Sequence, residues 1–102
     1  VKGIITEYDN ICACCGKPAE AEHHLIFGKS RDFSEENGLK IPLCHKCHNM
    51  GKTLERIHDN SMAEWLSKVV GQLGWEKHAV ASGMTEKEAR EAFQQCHGEN
   101  YL

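Results

Sequence analysis

The sequence predicts a small α+β domain built around a metal staple. Three features point there: two C-x-x-C pairs, Cys12–Cys15 and Cys44–Cys47; two short stretches of strand character between and beside them; and two helix-opening patterns after residue 60. A chain of 102 residues has room for one domain, since domains commonly run to about 100–150 residues. A core this small often needs a disulfide or a metal to hold it.

The elements follow in order. Ala19 to Phe27 contains the run His24-Leu25-Ile26-Phe27, ending at Gly28, which predicts a strand. Gly28 to Asn37 is polar (Lys29, Ser30, Arg31, Asp32) and predicts a loop. Leu39-Lys40-Ile41-Pro42-Leu43 suits an edge strand, where the N–H that proline lacks is not needed. A helix is expected from about Lys46, with His48 in its first turns.

Ser61-Met62-Ala63-Glu64 and Thr85-Glu86-Lys87-Glu88 are capping-box patterns, in which hydroxyl and carboxylate satisfy orphan backbone donors. The first opens a helix whose Met62, Trp65, Leu66, Val69, Val70 and Leu73 recur at helical spacing, with stop signals at Gly71 and Gly74. The second predicts a helix to about Cys96, stopping near Gly98, with Ala89, Ala92, Phe93 and Cys96 on one face. Trp65 and Trp75 are read as packing residues, because aromatics bury large areas. Residues 1–60 thus form a metal-bearing core, and residues 61–102 a helical extension packed on it within the same domain.

Composition narrows the class. No apolar run approaches the roughly 20 residues of a membrane helix, and no secretory signal pattern opens the chain. Val1 rather than Met stands first, which leaves open a piece of a longer protein. Paired C-x-x-C spacing in place of a disulfide framework fits a reducing compartment, so a cytoplasmic location is expected. Lys and Arg number 12 against 15 Asp and Glu, a formal net charge of −3. That speaks against a broad basic DNA-gripping surface, because phosphate neutralisation supplies most non-specific affinity. It says less about a nuclease whose ion carries its own positive charge.

Structural zinc takes four soft ligands in a tetrahedron, and two C-x-x-C knuckles supply them. Cys12 and Cys15 precede Gly16, where the backbone must turn tightly. Cys14 could replace either, although the three-residue offset favours Cys12 and Cys15. Cys96 has no partner at metal spacing and is expected in the core.

Between the knuckles lie His23-His24 and Asn37, and His48 follows the second. The order Cys12-Ala13-Cys14-Cys15-Gly16, then His23-His24, then Asn37, then Leu43-Cys44-His45-Lys46-Cys47-His48 resembles the H-N-H endonuclease family over roughly residues 11–58. The resemblance implies a ββα-metal (His-Me finger) domain that hydrolyses phosphodiester bonds of DNA with one divalent ion. It implies that His23 and His48 ligate that ion, that His24 is the general base, and that Asn37 braces the loop and orients the base. Mg²⁺ or Mn²⁺ is the implied catalytic ion, while an imidazole-rich shell also accepts Zn²⁺ or Ni²⁺. Similar phage recombination-associated nucleases place a histidine downstream of the Cys-His pair, which makes His58 a further candidate ligand. The alternative for His58 is a surface histidine before the next helix. DNA is the implied partner, beside phage recombination or packaging proteins in a bacterial or phage-infected cell.

Adjacent strand residues point to opposite faces, so His23 and His24 are not expected to face the ion together from a regular strand. Lys29 and Arg31 are candidate phosphate contacts, the alternative being a solvated loop. His45 is expected to face solvent or phosphate, and His78 and His97 stand without a motif. A rival from another class is a non-catalytic zinc module binding nucleic acid or protein. It accounts for the four cysteines and leaves the His23-His24 pair, Asn37 and His48 unexplained.

Overall fold

In the computed structural model, which describes residues 1–102, β1 (Ala21–His24) pairs antiparallel with β2 (Lys40–Leu43). The register sets Ala21 opposite Leu43, Glu22 opposite Pro42, His23 opposite Ile41 and His24 opposite Lys40. Side chains alternate across a strand, so His24 shares a face with Lys40, and His23 shares the other with Ile41. The strand expected at His24–Phe27 therefore lies three residues earlier. Leu25 and Ile26 are almost fully buried as consecutive residues, because the chain leaves the sheet there and passes beneath a later helix.

The segment expected as a loop between the strands is a 3₁₀ turn, Gly28–Ser30, followed by α1 (Arg31–Asn37). Asp32 sits in the first turn, where a carboxylate favours the helix dipole. Gly38 closes α1 in the left-handed region at φ 69°, its N–H reaching the Glu35 and Ser34 carbonyls. Buried Ser34 pins α1 to the chain after β1: its Oγ donates to Ile26 O at 2.6 Å and accepts from Ile26 N at 3.0 Å. The polar composition that hid α1 reflects a helix that contributes little apolar surface of its own.

α2 runs Ser61–Ala81 and α3 runs Glu86–His97. The cap of α2 is Asn60, one residue before the expected Ser61; its side chain accepts from Ala63 N at 3.3 Å, and Glu64 reaches back to Asp59 N. Gly71 and Gly74 do not stop this helix. A Cβ at Gly71 would meet Ile26 Cγ1 at 3.0 Å and Leu25 Cβ at 3.2 Å, so the glycine permits close approach to the core. The buried face of α2 carries Ser67, Gly71, Gln72, Glu76 and Ala79, while Met62, Leu66, Val70 and Leu73 point outward.

The Thr85 capping box is complete, with Thr85 Oγ1 on Glu88 N and Glu88 Oε1 on Thr85 N, and Gly98 ends α3 at φ 89°. Ala89 and Phe93 are wholly buried. Cys96, expected in the core, is exposed. His97, one position on, takes the inward place in the last turn; it stacks 4.9 Å from Phe33 and bonds Tyr101 Oη at 2.7 Å. Trp75 packs on Phe93 and is half-buried, but Trp65 is 52% exposed and only edges Tyr101.

Leu25, Ile26, Leu39, Phe93 and Tyr101 form the main core, and Cys12, Leu43, Cys44 and Cys47 a second cluster. Ile41 packs against both, so β2 couples the cysteine knuckles to the helices. No helix is long and apolar enough to cross a membrane.

Candidate metal centres

The first knuckle is a tight hairpin closed by a bridge between Ile11 and Pro18. Gly16 stands at φ 78° and donates to Cys12 O at 2.9 Å. The second knuckle leads from β2 into a five-residue π-helical turn, Lys46–Met50, shorter than the expected helix. The thiols of Cys12, Cys15, Cys44 and Cys47 all lie within 4.8 Å of one another. Cys14 is exposed and outside this set, which settles the ambiguity in the first knuckle. Zn–S bonds of about 2.3 Å in a tetrahedron put sulfurs roughly 3.8 Å apart, and Cys15 Sγ lies 3.7 Å from Cys44 Sγ. The four residues fit a structural zinc. Burial pushes the Cys12 thiol up, yet hydrogen bonding from the backbone at Cys44, Cys15 and Cys14 outweighs it and brings the group to about 6. Cys47 is raised by burial and by the neighbouring thiols.

A second cluster gathers His23, His48 and His58, one ligand atom from each within the same 4.8 Å. β1 supplies His23 and the π-helical turn supplies His48. His58 is drawn in by backbone pairing, Ile57 N to Cys47 O at 2.9 Å and His58 N to His48 O at 3.1 Å. Arg56 clamps the loop between them, donating to the carbonyls of Gly51 at 3.0 Å and His58 at 2.9 Å. The sequence marked His58 as one of two alternatives; the structure makes it a member of the cluster. Arg56 carried no sequence signal.

His23 stands edge to face with His48 and with His58, those two rings are tilted against each other, and the three centroids are 4.7 to 5.2 Å apart. Phe27 closes one side, 5.0 Å from His58. His48 Nε2 and His58 Nε2 are 3.1 Å apart, a separation at which two lone pairs need a proton or a cation between them. His23 is fully buried, and its Nδ1 is the one buried side-chain polar atom without a partner. Leaving such an acceptor unpaired costs about 1–3 kcal/mol, and a cation between the rings would satisfy it. Burial, then the neighbouring His58 and His48, depresses His23 to about 3, and burial also lowers His48. Neutral imidazoles are the ligand form.

His24 lies on the opposite face of β1. Its Nε2 is 2.9 Å from Glu35 Oε1, and Lys40 Nζ meets the same carboxylate at 3.0 Å. Hydrogen bonds from His24 first, and Lys40 among the others, hold Glu35 well below the usual carboxylate range. An ionised carboxylate only accepts, so His24 Nε2 carries a hydrogen, which in the neutral ring leaves the lone pair on Nδ1. Glu35 fell in the presumed loop, and nothing in the sequence singled it out.

Asn37 does not occupy the place beside His24. It ends α1, donating Nδ2 to Phe33 O at 2.8 Å and accepting from Trp75 Nε1 at 3.1 Å. Lys29 and Arg31 are exposed on the turn and first residue leading into α1, paired with no acid. His45 is half-exposed beside Glu20, and His78 is exposed on α2. No protein-family model, curated protein or solved structure matches the chain.

Proposed function

We propose that the chain is a metal-dependent endonuclease of the H-N-H type that hydrolyses phosphodiester bonds of DNA. One observation carries this: three histidine ligand atoms converge at the strand whose next residue is a histidine held by a carboxylate. His23, His48 and His58 hold the catalytic ion, Mg²⁺ or Mn²⁺, with Zn²⁺ or Ni²⁺ also suited to imidazole donors. When bound, that ion stabilises charge on the scissile phosphate and the leaving oxygen.

His24 is the general base; it faces away from His23 across β1, and as the last residue of that strand it meets the phosphate held at the ion around the strand's end. With Nε2–H committed to Glu35, its Nδ1 lone pair accepts a proton from water, and the carboxylate stabilises the imidazolium that forms. Asn37 contributes by tying the end of α1, and so Glu35, to Trp75 on α2. Lys29 and Arg31 contact substrate phosphates. The zinc held by Cys12, Cys15, Cys44 and Cys47 is structural.

The test is cleavage of supercoiled plasmid by purified protein across Mg²⁺, Mn²⁺ and Zn²⁺. A positioned base contributes about 10²–10⁴-fold, so His24→Ala is expected to cut at least about a hundredfold more slowly with its metal content intact. A wild-type protein that cuts in none of these ions, with zinc and fold in place, favours the non-catalytic zinc module instead. His24→Ala cutting at the wild-type rate removes His24 from the base role.

A further inference from the structure

Ser67 lies on α2, 44 residues from His23 in sequence, and its Oγ is 2.8 Å from His23 Nε2. The same oxygen is 2.7 Å from Leu25 O. A serine hydroxyl has one proton. A backbone carbonyl can only accept, so that proton goes to Leu25 O. Towards His23 the hydroxyl can therefore only accept, and the hydrogen between them belongs to Nε2. The remaining nitrogen, Nδ1, is buried without a partner, on a ring whose centroid lies 5.2 Å from that of His48 and 5.0 Å from that of His58. All three groups are locked: Ser67 is 5% exposed, His23 is fully buried, and Leu25 is 1% exposed.

We infer that Ser67 is a positioning residue for the histidine cluster: it fixes His23 as the Nε2–H tautomer and so presents Nδ1 as the ligating atom before any ion arrives. The inference rests on the proposed ion site at His23, His48 and His58, and it adds a role for the helical extension. α2 is then part of the metal centre's wiring as well as packing. Hydrogen-bond partners of ligating histidines set ring orientation and basicity, and losing one typically costs about 10–100-fold in metal affinity.

Two measurements test it on the full chain with its cysteine site loaded with zinc. The first is the ¹⁵N spectrum of the His23 ring before a second ion is added. A protonated-type Nε2 with an unprotonated-type Nδ1 is expected, and the opposite tautomer overturns the inference without any variant being made. The second is titration with Zn²⁺ or Mn²⁺. Ser67→Ala is expected to weaken uptake of the second ion by about 10–100-fold and to let the His23 tautomers mix, with the cysteine-bound zinc retained. Ser67→Thr, which keeps the hydroxyl, is expected to restore both. Unchanged affinity and an unchanged spectrum in Ser67→Ala overturn the inference while leaving the proposed function standing. A wild-type chain that takes one zinc and no second ion overturns the proposed function and the affinity half of the inference, and the ring spectrum still decides whether Ser67 sets the tautomer.

Discussion

His24 and Glu35 share a hydrogen bond, Nε2 to Oε1 at 2.9 Å, that ties β1 to α1 across 11 residues of sequence. Lys40 of β2 joins the same carboxylate, so one side chain links three elements around the proposed base.

The acid limb of stability should report on this link. Glu35 is held below its ordinary value of 4.5 in the folded chain, so the unfolded chain binds the proton more readily. Its contribution is present above about pH 4.5 and is lost as pH falls below that value. Melting wild type beside Glu35→Gln isolates it. The gap in Tm is expected to be steady near neutrality and to close as pH drops through the carboxylate range. A gap that stays constant down to pH 3 removes the ionised carboxylate from the account.

Zinc binding by a preorganised four-thiolate site is folding free energy. Cys44→Ser is therefore expected to lose zinc and cooperative melting together, because Cys44 is buried in the cluster beside Leu43 and Cys47. Cys14→Ser should retain both, since Cys14 is exposed and outside the four. Elemental analysis and calorimetry on the two variants check this, and a Cys14→Ser protein stripped of zinc contradicts the ligand set.

His48→Ala and His58→Ala should each abolish binding of a second divalent ion while keeping one zinc per chain. The two are expected to fail alike, because their Nε2 atoms sit 3.1 Å apart in the one three-histidine cluster. Isothermal titration against protein of known zinc content measures this. Simultaneous loss of the cysteine-bound zinc in His58→Ala would show that the two centres are one folding unit.

Gly71→Ala weighs helix propensity against packing. Alanine gains up to about 1 kcal/mol in a helix interior, whereas overpacking a core typically costs about 1–3 kcal/mol. The new Cβ would press on Leu25 and Ile26, both 1% exposed and without room to move, so a net loss is expected, a Tm lower by several degrees. At Gly74 the Cβ would meet only the tip of half-buried Ile5, which can swing aside, and Gly74→Ala should be closer to neutral. Thermal melts of the pair decide the order.

The parts of this protein legible in its sequence are those that short-range geometry dictates. A C-x-x-C turn brings its own sulfurs together, a Thr-x-x-Glu box caps its own helix, and Pro42 restricts its own strand to a sheet edge. Alternation along β1 foretold that His23 and His24 would face opposite ways. Contacts made across the fold were not legible. Glu35 reaches His24 because a polar segment coils into α1; His58 joins His48 because Arg56 folds the loop back. Ser67 meets His23 because Gly71, one turn along, lets α2 settle onto Leu25 and Ile26. The outward placing of Met62, Leu66, Val70 and Leu73 has the same origin. Periodicity marks a helical face, but the face of α2 that packs is the one where Ser67 and Gly71 allow close approach to Leu25 and Ile26, and where Gln72 and Glu76 are buried with hydrogen bonds to Asn100, Tyr101 N and Arg90.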